Sequence, residues 1–169
     1  MIASLGQDLS QPEYIHVVIN PLPVYGLTMG VIGLIIALLQ RSRRAQVATL
    51  ALILLSGLIA WPVVHYGEES YDRVLSMSDD QGQAWLKLHE HRADQLASSF
   101  YVLAALAAAA IFAPIKWPKT ATALTLVTLL CSFAVLGVGG YIARAGGKIR
   151  HREFRNEPAP VVPVEADEH

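Results

Sequence analysis

Four stretches of this chain are almost wholly apolar, and its charged residues are confined to the segments between and beyond them. The runs Leu22 to Gln40, Gln46 to Val64, Leu96 to Ile115 and Thr120 to Ala143 carry almost no charge. Each approaches the ~20 residues that an α-helix needs to cross a hydrocarbon core about 30 Å thick. Val31-Ile32-Gly33-Leu34-Ile35-Ile36 lacks the alternation of a barrel strand, and a helix satisfies its own backbone where lipid offers no partners. The pattern predicts an all-α integral membrane protein, an up-and-down bundle of four transmembrane helices.

The punctuation places the ends. Asn20-Pro21-Leu22-Pro23 opens the first span, since proline suits a helical first turn whose N–H groups lack partners anyway. Gly26, Gly30 and Gly33 form a small-residue stripe that lets another helix approach. The second span is expected to end near Trp61-Pro62, with a loop over residues 66–80. Ser76-Met77-Ser78-Asp79-Asp80 is a helix-start signal. From it a helix is expected to run unbroken through His89, so that the third span extends into the extracytoplasmic loop. Gly146-Gly147 either ends the fourth helix or admits a bulky neighbour. The organisation read from this is a polar lead-in over 1–15, a four-helix domain over 16–155 and a disordered tail over 156–169. No internal sequence repeat is visible, although two helical hairpins give a bundle a natural two-fold layering.

Composition agrees. Of 169 residues, 53% are hydrophobic and 16% charged, against about 25% charged in soluble domains. The N-terminus has no basic region before an apolar core, so no cleaved signal peptide is expected. Net charge is −1, and all the acidic residues fall on the face that carries both termini. The opposite links, Arg41-Ser42-Arg43-Arg44 and Lys116-Trp117-Pro118-Lys119, are short and purely basic. The positive-inside rule puts them in the cytoplasm. The expected location is a bacterial inner membrane, with the chain crossing several times and both termini periplasmic. Cys131, mid-span, reads as a small apolar residue. Basic residues form no continuous face, so no nucleic-acid partner is expected.

The candidate chemistry lies in the histidines. His16, His65, His89 and His151 stand at the four span ends that threading brings to one face. Imidazole nitrogen is a good ligand for zinc, copper, iron and haem iron. On a helix His89 shares a face with Ala93 and Leu96, which aims it at the bundle and His91 elsewhere. His65, beside Tyr66, reads as an interfacial ring and ranks behind His16, His89 and His151. Glu68, Glu90 and Asp94 stand nearby in sequence and would add hard-metal character.

His16-Val-Val-Ile-Asn20-Pro21-Leu22-Pro23, Gly67-Glu68, Leu88-His89-Glu90 and Gly146-Gly147-Lys-Ile-Arg150-His151 together resemble a bacterial group. It comprises the four-span membrane proteins related to the domain-of-unknown-function family 2231. The resemblance covers roughly residues 14 to 155 and rests most on the closing glycine-rich signature. It marks His16, Glu68, His89, Glu90, Arg150 and His151 as recurring positions, and it implies a redox setting. The sequence lacks the second histidine that many relatives carry near Asn20-Pro21.

The leading expectation is a b-type cytochrome-like electron-transfer protein, with haem b held by two of His16, His89 and His151. The helix 4 glycines would make room for the macrocycle, and Arg150 or Arg144 would pair with a propionate. Quinone and a periplasmic cytochrome or other redox protein are the expected partners, beside the lipid bilayer. The alternative is a non-haem iron, copper or zinc site built from His16, Glu68, His89, Glu90 and His151. A third reading is a cofactor-free structural subunit of a larger complex, or a homo-oligomer.

Overall fold

The computed structural model describes residues 6–161. From Pro12 on, the described residues form α1 Pro12–Ile19, α2 Leu22–Leu39, α3 Arg43–Ser76, α4 Asp80–Leu96, α5 Ser98–Lys116 and α6 Ala121–Arg150, with 3₁₀ turns at Pro118–Thr120 and Arg152–Phe154. No strand occurs among the described residues. α1 leads into α2 and α4 into α5, which leaves four helical rods long and apolar enough to cross a membrane. Short links at 40–42 and 117–120 make successive rods antiparallel. Around the bundle α2 packs on α3, α3 on α5, α5 on α6 and α6 back on α2. The protein is a multi-pass helical bundle.

Both faces of the rods are apolar. On α2 the inner stripe is Leu27, Val31 and Leu34, while Leu22, Met29 and Ile36 stay exposed to the surrounding medium. Such all-round hydrophobicity belongs to a membrane span. Lipid tails give no hydrophobic drive for helices to associate, so close packing must supply the cohesion. The glycine stripe of α2 does this, with Gly30 against Ile53 and Gly33 against Thr49 of α3. Gly57 of α3 meets the Phe100 carbonyl of α5, where a Cβ would come within 2.6 Å.

Two expected ends lie elsewhere. The second span does not stop at Pro62: α3 continues to Ser76 with proline inside it, and the expected loop over 66–80 shrinks to three residues. Beyond Pro62 one face still packs, through Val63, Gly67, Ser70 and Val74, against α1 or the neighbouring rods. That packing outweighs the one hydrogen bond the proline removes. The fourth helix likewise runs through Gly146-Gly147 to Arg150. The rod from Asp80 to Lys116 is interrupted only at Ala97, whose angles stay helical. At 1.5 Å per residue, the 34 residues of α3 reach about 51 Å, so the bundle projects well past a hydrocarbon core on one side. There α1, the ends of α3 and α6, and all of α4 form a second storey.

The lead-in is helical from Pro12, so α1 crosses the expected boundary at residue 15. Of the tail expected to be disordered over 156–169, residues 162–169, His169 among them, lie outside the described residues.

Candidate cofactor site

The second storey consists of two helix pairs, α1 with α3 and α4 with α6, joined where Tyr71, Val74 and Leu75 of α3 pack on Trp85, Leu86, Ala145 and Ile149 and Gln83 donates to the Leu75 carbonyl. One histidine from each pair enters the space between them. The rings of His16 and His89 have centroids 6.4 Å apart and planes 79° to one another.

Each ring is seated in the same way on the partner helix of its own pair. His16 Nδ1 donates to the Val63 carbonyl at 2.8 Å. Four residues on, Gly67 lies under the ring, where a Cβ would stand 3.1 Å from Cε1 and Nδ1. His89 Nδ1 donates to the Ile142 carbonyl at 3.1 Å, and Gly146 lies four residues beyond, with the same 3.1 Å clearance. A carbonyl and a glycine one turn apart thus hold each imidazole, at nearly the same distance along α3 and α6. The first half of the chain and the second repeat one device, with the imidazoles on the first and third rods and their seats on the second and fourth. With Nδ1–H committed to a carbonyl, the lone pair of a neutral ring is on Nε2, the arrangement by which proteins orient a histidine ligand.

Other residues singled out from the sequence lie apart from the pair. His151 follows the last turn of α6, exposed, with Nδ1 2.9 Å from Glu153 and its ring stacked on Phe154. The helix carries it past the seat because Gly146-Gly147 does not end α6. Arg150 donates to the Met77 carbonyl at 3.1 Å, and Arg144 pairs with Glu157. Glu68 is exposed on α3, whereas Glu90 is half-buried beside Tyr71. His65 stacks on Trp61 and sits 3.5 Å from Glu69 on the outer surface. Among the described residues no three His, Cys, Asp or Glu side chains converge as a metal-ion ligand set.

The α4–α6 pair has a clasp that the sequence did not suggest. The Arg155 guanidinium donates to both Asp79 oxygens at 2.9 Å and to the carbonyls of Lys148 and Ile149 at 2.7 Å. It therefore binds the N-cap of α4 and the last turn of α6 together. Lys148, buried, lies 4.2 Å over the Trp85 ring and pairs with Glu157. The hydrogen bond from Arg155, helped by the Gly82 N–H, holds the Asp79 carboxyl below the usual carboxylate range. Lys148 does the same for Glu157. The one sequence signal was the helix-start motif around Asp79; the bend that returns Arg155 to it has none.

Compared with known proteins, the chain matches no family model, no curated protein and no solved structure.

Proposed function

We propose that the protein is a b-type cytochrome-like electron carrier of the bacterial inner membrane, with His16 and His89 as the two axial ligands of a haem near the periplasmic face. The observation that carries this reading is the pair of neighbouring rings, one from each helix pair, each held through Nδ1. A metal–nitrogen bond of ~2.0–2.1 Å puts an imidazole centroid about 3 Å from its metal, so two rings on opposite sides of one ion stand about 6 Å apart. The measured 6.4 Å fits that span. A haem takes its four equatorial nitrogens from the macrocycle and asks only two of the protein. A non-haem ion asks at least three protein ligands, so a two-imidazole donor set favours haem.

The haem supplies one-electron chemistry. The chain's residues supply the ligands, fix their orientation and exclude water with the Trp85, Leu86, Ala145 and Ile149 cluster behind His89. His16, His65, His89, His91 and His151 belong to one end of the bundle, which makes donor and acceptor meet at that end. A membrane quinol and a periplasmic redox protein suit these roles, and the redox setting implied by the family resemblance agrees.

A reduced-minus-oxidised spectrum of the purified protein tests this. A low-spin haem b signal is expected in the wild type, with loss of the bis-histidine form in His89→Ala and in His16→Ala. A folded wild-type protein that takes up no haem would refute it.

A further inference from the structure

The two seats are alike, yet the helices that carry the ligands are held very differently. α4, which bears His89, is clasped to α6 by Arg155 and Asp79, and Trp85 and Leu86 one turn before the ligand are buried against Ala145 and Ile149. Gly82 adds a close approach, since a Cβ there would stand 2.7 Å from the Ile149 carbonyl. α1, which bears His16, has no buried residue. Val17 is 70% exposed and Val18 52%. It packs on α3 with Ile15 and Ile19 half-buried, and its polar side-chain ties there are the His16–Val63 hydrogen bond and a Glu13–Arg73 ion pair of 2.8 Å, in which Arg73 is 59% exposed.

The joint below α1 is weak for a chemical reason. Pro21 and Pro23 have no N–H, so the carbonyls of Val17 and Ile19 lose their intrahelical donors where α1 meets α2. Backbone angles at Asn20 and Pro21 remain helical, so α1 continues the direction of α2 without the bonds that would stiffen it.

We infer that His16 is an exchangeable ligand: α1 moves off its seat and opens, opposite His89, a binding position for a small neutral molecule of the carbon monoxide or nitric oxide class. This rests on the haem reading above. The ligand is small because only an imidazole's volume is vacated. It is neutral because the vacated seat presents the Val63 carbonyl oxygen, which disfavours an anion, beside Gly67. His89, clasped on α4, remains as the permanent ligand on the other side.

The experiment has two arms on the full chain in nanodiscs. In the first, carbon monoxide is added to dithionite-reduced protein. The wild type is expected to bind it slowly and His16→Ala rapidly. Glu13→Gln should bind roughly two- to five-fold faster than wild type, the worth of one exposed ion pair. A wild type with a bis-histidine haem spectrum that stays inert to carbon monoxide for hours, while His16→Ala reacts, would overturn the exchange and leave the haem reading standing. Failure of every form to hold haem would remove both. In the second arm, which needs no cofactor, the backbone amides of α1 are expected to exchange hydrogen well before those of residues 82–90. Equal protection of the two segments would contradict the proposal.

Discussion

At Gly67 and Gly146 a hydrogen atom stands where any other residue would place a carbon 3.1 Å from an imidazole. Glycine to alanine inside a helix ordinarily stabilises by about 0.5–1 kcal/mol. Gly147, with nothing within 4 Å of its would-be Cβ, should therefore show that gain as alanine. Gly146→Ala should forfeit it, because His89 must shift, and should weaken cofactor retention. Thermal melts and haem content of the two variants compare them directly; equal behaviour would mean that the seat does not matter. Asp79 offers a pH test. Its folded-state pKa is depressed by Arg155, so its contribution is present above the usual carboxylate value and is lost as pH falls through the lower, folded one. Asp79→Asn keeps an oxygen for the Gly82 N–H but loses the charge. It should melt lower than wild type at neutral pH and approach it in acid. Of these residues, the sequence made His16, His89 and the Gly146-Gly147 pair legible. The Val63 and Ile142 carbonyls were not, because a backbone acceptor has no residue type to announce it.

At the scale of elements, prolines explain what the ends of the rods do. Pro114 withholds the N–H that the Ala110 carbonyl would accept, and Arg43 Nη2 reaches across from α3 to donate to that oxygen at 2.6 Å. The same guanidinium reaches Thr125 on α6 at 3.3 Å. One residue of a basic link is thus turned inward to join three rods. Arg43→Ala should cost about 1–3 kcal/mol, the range for an orphaned buried acceptor. The loss should be smaller in a Pro114→Ala background, where the alanine N–H serves the carbonyl. Strictly additive losses in a chemical-denaturation cycle would show that the guanidinium is not serving that oxygen. The same link is strained at its start. Arg41 has φ 53, and Ser42 N–H donates to the Ala37 carbonyl at 3.1 Å, closing a left-handed C-terminal turn on α2. Glycine suits that conformation, and Arg41→Gly should raise stability by roughly 0.5–1 kcal/mol. A drop on melting would locate the arginine's value in its charge.

For the whole molecule, the repeated seat makes a symmetric frame around an asymmetric attachment. Two pairs of helices offer equivalent imidazoles, but only one pair is fastened by Arg155. The near-perpendicular rings, 79° apart, carry a spectroscopic expectation. Crossed imidazole planes keep the two iron dπ orbitals close in energy, so the oxidised protein should give the strongly anisotropic low-spin electron paramagnetic resonance signal. The rhombic signal of parallel rings would show that the pair reorients on loading.

By itself the sequence determined the class of fold. Four apolar runs without alternation, in a medium that satisfies no backbone group, leave only spanning helices, and short links leave only an up-and-down order. It also pointed to the end of the bundle where His16 and His89 meet, because histidine is scarce and its positions follow from the threading. Tertiary structure decided which histidines meet. Rotation about a rod and the length of its polar end are set by contacts from other rods, such as Val63 to Val74 along α3. Those contacts kept α3 helical past Pro62 and α6 past Gly147, which brought His16 to His89 and carried His151 away. The repeated carbonyl-and-glycine seat belongs to the same level, since Val63 with Gly67 and Ile142 with Gly146 gain meaning only when a ring from another helix lies on them.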